Sequence, residues 1–137
     1  MKKLITLLMA LVMIFAATGA FAADIKVLVN GEEIQFDRTP FVDGESVMVP
    51  FRFVAEKLGA VVAWDGETQT VFSNVGETLS TMQIGNSNLF VNGEAIALDK
   101  APVLTTDRTL VSMQVIEKAL SVTAAWDEDA QTVTITK

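Results

Sequence analysis

Val47-Met48-Val49-Pro50-Phe51-Arg52-Phe53-Val54-Ala55-Glu56-Lys57-Leu58-Gly59-Ala60 is the stretch from which the fold can be read. It opens on a β-prone run, Val47–Val49, and passes into a helix over about Pro50 to Leu58. Pro50 suits the first helical position, where its missing N–H is no loss. Phe51, Val54 and Leu58 recur at i, i+3 and i+7 and form one apolar stripe. Arg52 and Glu56 make an i, i+4 pair on the wet side. Gly59 ends the helix, because the residue after a helix terminus adopts left-handed backbone most easily as glycine.

Upstream of this stretch, Asn30-Gly31 separates two β-prone runs, Ile25–Val29 and Glu33–Phe36, and predicts a hairpin with a type I′ turn. Pro40 then opens a loop. Downstream, a strand ends in Trp64-Asp65, a tight turn follows at Asp65-Gly66, and Gln69-Thr70-Val71 begins a return strand. The whole pattern recurs later in the chain at one constant offset, without a gap. Val29-Asn30-Gly31-Glu32 falls on Val91-Asn92-Gly93-Glu94, Pro40 on Pro102, and Val49 on Val111. Leu58 falls on Leu120, Ala63-Trp64-Asp65 on Ala125-Trp126-Asp127, and Gln69-Thr70-Val71 on Gln131-Thr132-Val133.

In the second copy Met113, Ile116 and Leu120 carry the apolar stripe. Ser112 stands in place of Pro50 as an expected N-cap, Gln114 in place of Arg52, and Ser121 in place of Gly59. Leu110–Val111 is its short strand before the helix. The expected architecture is α+β, mainly antiparallel sheet with two short helices, built from two 62-residue-offset repeats. Repeat one covers about 25–74, a bridging strand lies within 75–86 (Glu77 to Ile84), and repeat two covers about 87–137.

The N-terminus reads as an export signal. Met1-Lys2-Lys3 precedes an apolar run from Leu4 to Ala17, and Ala20-Phe21-Ala22 fits a small-x-small cleavage site. Residues 1–22 are thus the expected signal peptide and 23–137 the exported chain, secreted or held at the cell envelope. An uncleaved segment would instead be a membrane anchor. Omitting Lys2 and Lys3 leaves 8 Lys+Arg against 17 Asp+Glu, a net charge of −9 for residues 23–137. That balance disfavours nucleic acid as a partner, and no basic patch for anionic lipid is present.

The sequence contains no His, no Cys and no Tyr. The usual ligands of copper, zinc and haem are therefore missing, as are disulfides and any cysteine or tyrosine nucleophile. Carboxylates alone can run acid–base chemistry, but nothing brings Glu56 and Asp65 together in sequence. Ser46 and Ser112 sit in no nucleophile elbow, and no glycine-rich phosphate loop occurs. The chain reads as a non-enzyme without a cofactor.

Two readings stand for Trp64 and Trp126: core residues repeated at equivalent places, or platforms that stack on sugar rings. Two stand for Asp127-Glu128-Asp129: a solvated turn, or a calcium site without EF-hand spacing. Arg52 either binds a ligand or pairs with a carboxylate to fix its helix against the sheet.

The segment Val-Pro-x-Arg-x-x-x-Glu-x-Leu-Gly-Ala at 49–60, with Asn30-Gly31, Phe36-Asp37, Pro40 and Val62-Ala63-Trp64-Asp65 around it, resembles the copper amine oxidase N-terminal-like domain, also called the stalk domain. The resemblance extends over essentially all of the chain after residue 22. It implies an antiparallel sheet around helix and an accessory role in secreted and surface proteins of Gram-positive-type bacteria. In the oxidases, copper and the tyrosine-derived quinone belong to a separate catalytic domain, so no oxidase residue carries over.

The expected function is a binding or spacing module at the bacterial cell envelope, with cell-wall polymer or an extracellular protein as partner. Alternatives are a modulator or inhibitor subunit of an extracellular hydrolase, and a self-assembling surface protein that uses an edge strand such as Thr132–Thr136. The residues singled out for ligand binding or for a structural motif are Arg52, Glu56, Trp64, Asp65, Trp126 and Asp127.

Overall fold

The computed structural model describes residues 25–36 and 39–137. The expected signal peptide lies outside the described residues. Among the described residues, no helix is long and apolar enough to cross a membrane.

The Asn-Gly pairs act as the sequence predicts. Asn30 and Gly31 have φ of 51° and 86°, and Asn92 and Gly93 have 50° and 85°. Both central residues of each turn are left-handed, as a type I′ turn requires. The first turn joins β1 (Lys26–Val29) to β2 (Glu32–Glu33), and the second joins β8 (Asn88–Val91) to β9 (Glu94–Ala97).

The segments after Pro40 and Pro102, expected as loops, contain strands. β3 (Phe41–Asp43) pairs with β4 (Ser46–Pro50), and β10 (Val103–Thr105) pairs with β11 (Arg108–Ser112). Gly44 turns the first of these hairpins at φ 65°, and Thr106-Asp107 turns the second at 45° and 66°. The second turn carries no glycine, so its sequence signal is weak.

The two hairpins meet through β4 and β11, which pair antiparallel with Val49 opposite Val111. The resulting sheet has the order β10-β11-β4-β3. β4 and β11 each run directly into a helix: α1 (Phe51–Lys57) and α2 (Met113–Leu120). Pro50 is the N-cap of α1 rather than its first helical residue.

Phe51, Val54, Ala55, Ile116, Ala119 and Leu120 bury the helix stripes almost completely. Each of the Phe, Val, Ile and Leu side chains contributes about 1.5–3 kcal/mol of transfer free energy, and each Ala methyl less. Strands β1, β6 (Thr70–Val75) and β13 (Thr132–Thr136) add Val27, Val29, Val71, Val133 and Ile135 to the same core cluster.

α1 ends in the full Schellman pattern, and α2 keeps its longer bond with a left-handed residue at the end. After α1, Gly59 N–H donates to Glu56 O at 3.0 Å and Ala60 N–H to Ala55 O at 2.9 Å. After α2, Val122 N–H donates to Glu117 O at 3.2 Å, and Ser121 takes the left-handed conformation at φ 56°.

Two further sheets flank this centre. One has the order β5-β6-β7-β8-β9, with β5 (Val61–Asp65), β6 (Thr70–Val75) and β7 (Thr78–Gln83). β7 is the expected bridging strand, and it lies between β6 and β8. The other sheet has the order β12-β13-β1-β2, with β12 (Thr123–Asp127) and β13 (Thr132–Thr136).

β13 pairs parallel with β1 from Lys26↔Thr132 to Val29↔Ile135 and antiparallel with β12. Both of its edges are therefore hydrogen-bonded. This overturns the expectation that Thr132–Thr136 is an exposed edge, because the N-terminal strand occupies the side that would have been open. The Asp65 and Asp127 turns are also longer than expected. Each is a four-residue loop, 66–69 and 128–131, whose last residue, Gln69 or Gln131, is left-handed at φ 54° or 51°.

Candidate functional site

Pro50 ends β4 and caps α1, which sets Phe51 pointing inward and Arg52 outward one residue later. Trp64 lies on β5, the edge strand beside the helix. β11 arrives from the other half of the chain and brings Arg108 and Thr109 across from them. Between these elements a groove of about 540 Å³ opens, lined by Pro50, Phe51, Arg52, Trp64, Leu104 and Arg108 among others.

Its aromatic content is high. Phe53 packs edge-on against Phe36 at 5.6 Å, and the Arg108 guanidinium lies 5.5 Å from the Phe53 ring centroid. That is a cation–π distance. Trp64 is 40% exposed. Its indole N–H donates to no group among the described residues, and Gly66 leaves room beside it, since a Cβ there would sit 3.5 Å from Trp64 Nε1. The core reading of Trp64 is thereby corrected. Its strand is an edge, and the side chain forms a groove wall rather than filling the interior.

The other sequence-selected residues are placed separately. Arg52 Nη1 lies 3.4 Å from Glu56 Oε2, with both side chains about half exposed, at 47% and 53%. The pair stays on one helix, so it does not fix α1 against the sheet. In that exposed setting it is worth a few tenths of a kcal/mol, about 0.3–0.5, and a ligand can displace it. Asp65 Oδ1 accepts the Glu67 N–H at 3.0 Å and the Thr68 N–H at 3.5 Å, which organises the loop after β5. Glu56 and Asp65 thus have different partners and different tasks. Asp127 Oδ1 accepts the Ala130 N–H at 3.2 Å in the corresponding loop. Among the described residues no group of three or more His, Cys, Asp or Glu could hold a metal ion.

A second, smaller groove of about 230 Å³ is lined by Ser46, Val47, Ser112, Gln114 and Trp126 among others. At the sequence offset that aligns the two halves, Ser112, Gln114 and Trp126 fall on Pro50, Arg52 and Trp64, and Ser46 falls on Arg108. Here Trp126 is half-buried and packs against the core. Gln114 is tied down, donating to Ala97 O at 2.9 Å and accepting from Asp99 N–H at 3.1 Å. Ser112 is the N-cap of α2, yet its side chain makes no capping bond, and its buried Oγ has no hydrogen-bond partner. The guanidinium groups that mark the larger groove have no counterpart in this one.

Arg108 and Leu104 were not legible as site residues. They reach the groove only through the pairing of β11 with β4, and no local motif surrounds them.

The chain matches the copper amine oxidase N-terminal domain over residues 28–135. It belongs to that family. A protein of Brevibacillus choshinensis described as "Protease inhibitor" is similar as well, 29% identical over 124 residues. That alignment covers 88% of this chain and 37% of the relative, so the chain spans little more than a third of the relative's length.

The family's name raises the question of copper. With 0 His, 0 Cys and 0 Tyr in the whole sequence, the residues do not fit a copper–quinone centre. An assignment to an N-terminal domain of those enzymes is compatible with an accessory, non-catalytic module. The larger groove has the chemistry for recognition: aromatic faces for stacking, and guanidinium groups suited to planar anionic groups such as carboxylates.

Proposed function

We propose that the chain is an exported accessory module that binds a partner at the bacterial cell envelope, a wall polymer or an extracellular protein, through the larger groove. The observation that carries this reading is Trp64. It stands 40% exposed beside Arg52, in a position where its counterpart Trp126 is packed against the core. A large aromatic ring left open next to a displaceable guanidinium is typical of a recognition anchor.

The test is a pull-down of the chain from residue 23 onward against cell-wall fractions and culture supernatant, compared with Trp64→Ala and Arg52→Ala. Capture by the wild type and loss in folded variants supports the reading. Equal capture by all three refutes the groove assignment.

A second reading is favoured by the name of the Brevibacillus choshinensis relative: the chain modulates or inhibits an extracellular protease. Titration of secreted proteases with the chain tests it, and inhibition abolished by Trp64→Ala would place that activity in the same groove.

We also infer that the two halves are copies of one unit. The boundaries of β1 and β8, β4 and β11, and β5 and β12 support this, since the starts of all three pairs are separated by the same offset that aligns the sequences. The facing of Val49 and Val111 supports it too, because those residues coincide under that offset. On this reading the second copy kept the fold while its groove narrowed.

A further inference from the structure

The five-stranded sheet carries an aromatic row on the face turned away from the core. Ala63 on β5 lies opposite Phe72 on β6, Phe72 opposite Thr81 on β7, Thr81 opposite Phe90 on β8, and Phe90 opposite Ala95 on β9. Directly opposed residues share a face. The alternate residues Val71, Ser73, Ser80, Met82 and Leu89 are buried on the other side.

Phe72 and Phe90 are 40% and 42% exposed and flank the half-buried Thr81. Strands are spaced about 4.8 Å apart, so two steps across the sheet separate the rings by roughly 10 Å. One step along the strands, on the same face, runs a polar row: Asp65 opposite Thr70, Thr70 opposite Gln83, and Asn88 on β8. The two rows line a shallow groove of about 450 Å³.

The polar row keeps hydrogen-bonding capacity in reserve. The Asn88 amide makes no side-chain hydrogen bond among the described residues, while its backbone N–H is held by Asn86 Oδ1 at 2.8 Å. Asp65 uses only Oδ1 for its loop. Gln83 anchors to Thr68 O at 2.9 Å and leaves its Oε1 a single long contact to Asn86, 3.5 Å.

No Lys or Arg lines the groove, and its one ionisable group is the carboxylate of Asp65. The whole chain carries −7. A phosphorylated or carboxylated polymer would meet like charge and no cation there. The complementary ligand is neutral and rich in hydroxyls, with apolar C–H faces for the rings.

We propose that this face is a binding site for an extended, neutral β-linked glycan. Phe72 and Phe90 stack on two pyranose rings that present the same face, and Asn88, Gln83 and Asp65 hydrogen-bond their hydroxyls. In a β-1,4-linked chain such as chitin or cellulose alternate rings present the same face, which suits two platforms separated by one intervening strand. The site does not depend on the Trp64 groove. Trp64 lies opposite the buried Val71, on the other side of the sheet from Phe72.

Depletion binding to suspended chitin and cellulose tests the proposal, with dextran and polygalacturonate as the α-linked and acidic comparisons. The wild type should be retained on at least one of the two β-linked glycans and on neither comparison. Phe72→Ala and Phe90→Ala should each weaken binding about tenfold, the effect of losing one stacking ring. Phe90→Leu keeps apolar bulk without the ring and should weaken it too, and Asn88→Ala should do the same. Phe41→Ala, which removes an exposed ring on β3 in another sheet, should bind as the wild type does.

Failure of the wild type to bind either β-linked glycan overturns the proposal. So does equal binding to polygalacturonate, or full binding by folded Phe90→Leu. Sedimentation of the wild type beside Phe72→Ala supplies the remaining outcome: a dimer that the substitution converts to monomer would show that the face is covered by a second copy instead.

Discussion

The two helix ends offer a reciprocal exchange. Gly59 and Ser121 occupy the same place after α1 and α2, and both backbones are left-handed, at φ 88° and 56°. A Cβ on Gly59 would meet nothing within 4 Å, so Gly59→Ser introduces no clash. Its cost is the backbone strain of a non-glycine residue in that region, about 1 kcal/mol. The carbonyls of Ala55 and Glu56 keep their Schellman partners.

Ser121→Gly should run the other way. It removes the same strain, loses the exposed hydroxyl contact to Thr78 Oγ1 at 3.1 Å, and adds some freedom to the unfolded chain. The net expectation is a gain of about 0.5 kcal/mol. For a domain of this size about 1 kcal/mol corresponds to a shift of roughly 4 °C in Tm, so the two single variants should move in opposite directions and the double should recover about half of the loss caused by Gly59→Ser. Urea unfolding followed by Trp fluorescence measures all four proteins, and a constant m-value guards against a changed unfolded state. A Gly59→Ser variant whose unfolding midpoint coincides with that of the wild type would refute the reasoning, since the left-handed cap would then carry no strain.

Three other outcomes are expected. Trp126→Ala should destabilise by roughly 3–4 kcal/mol, as a large-to-small change against the core; Trp64→Ala should lose less than half of that, because water fills an open groove without leaving a void. Chemical denaturation of both variants reads the difference, and equal losses would return Trp64 to the core. Ser112→Ala should be neutral or stabilise by up to about 1 kcal/mol, unlike the usual loss at an N-cap, because the buried Oγ has no partner to lose. A clear drop in a thermal melt would reveal a hydrogen bond to a buried water. The protein should retain no stoichiometric copper after dialysis and show no amine-dependent peroxide production, since its sequence has 0 His and 0 Tyr; elemental analysis and a peroxidase-coupled assay check both.

What the sequence determined by itself was local. The Asn-Gly turns are legible because few residues other than Asn and Gly accept left-handed backbone at both central positions. The helices are legible because their apolar spacing has one period and Gly59 marks an end. The helix pair Arg52–Glu56 and the turn-organising role of Asp65 follow from short sequence separations, and the structure has both.

Elements held by distant partners were not legible. The hairpins after Pro40 and Pro102 form where β4 and β11 supply each other with a strand neighbour. β13 ceases to be an edge because β1, at the opposite end of the chain, pairs with it. The two Trp residues show the limit most sharply. Their flanking residues are the same, Ala-Trp-Asp in both, yet one lines an open groove and the other packs against the core. The hairpin that arrives from the opposite half differs, with Asp107-Arg108-Thr109 before Trp64 and Glu45-Ser46-Val47 before Trp126. Burial is a property of what packs from across the fold, and neither Trp carries that information in its own neighbourhood.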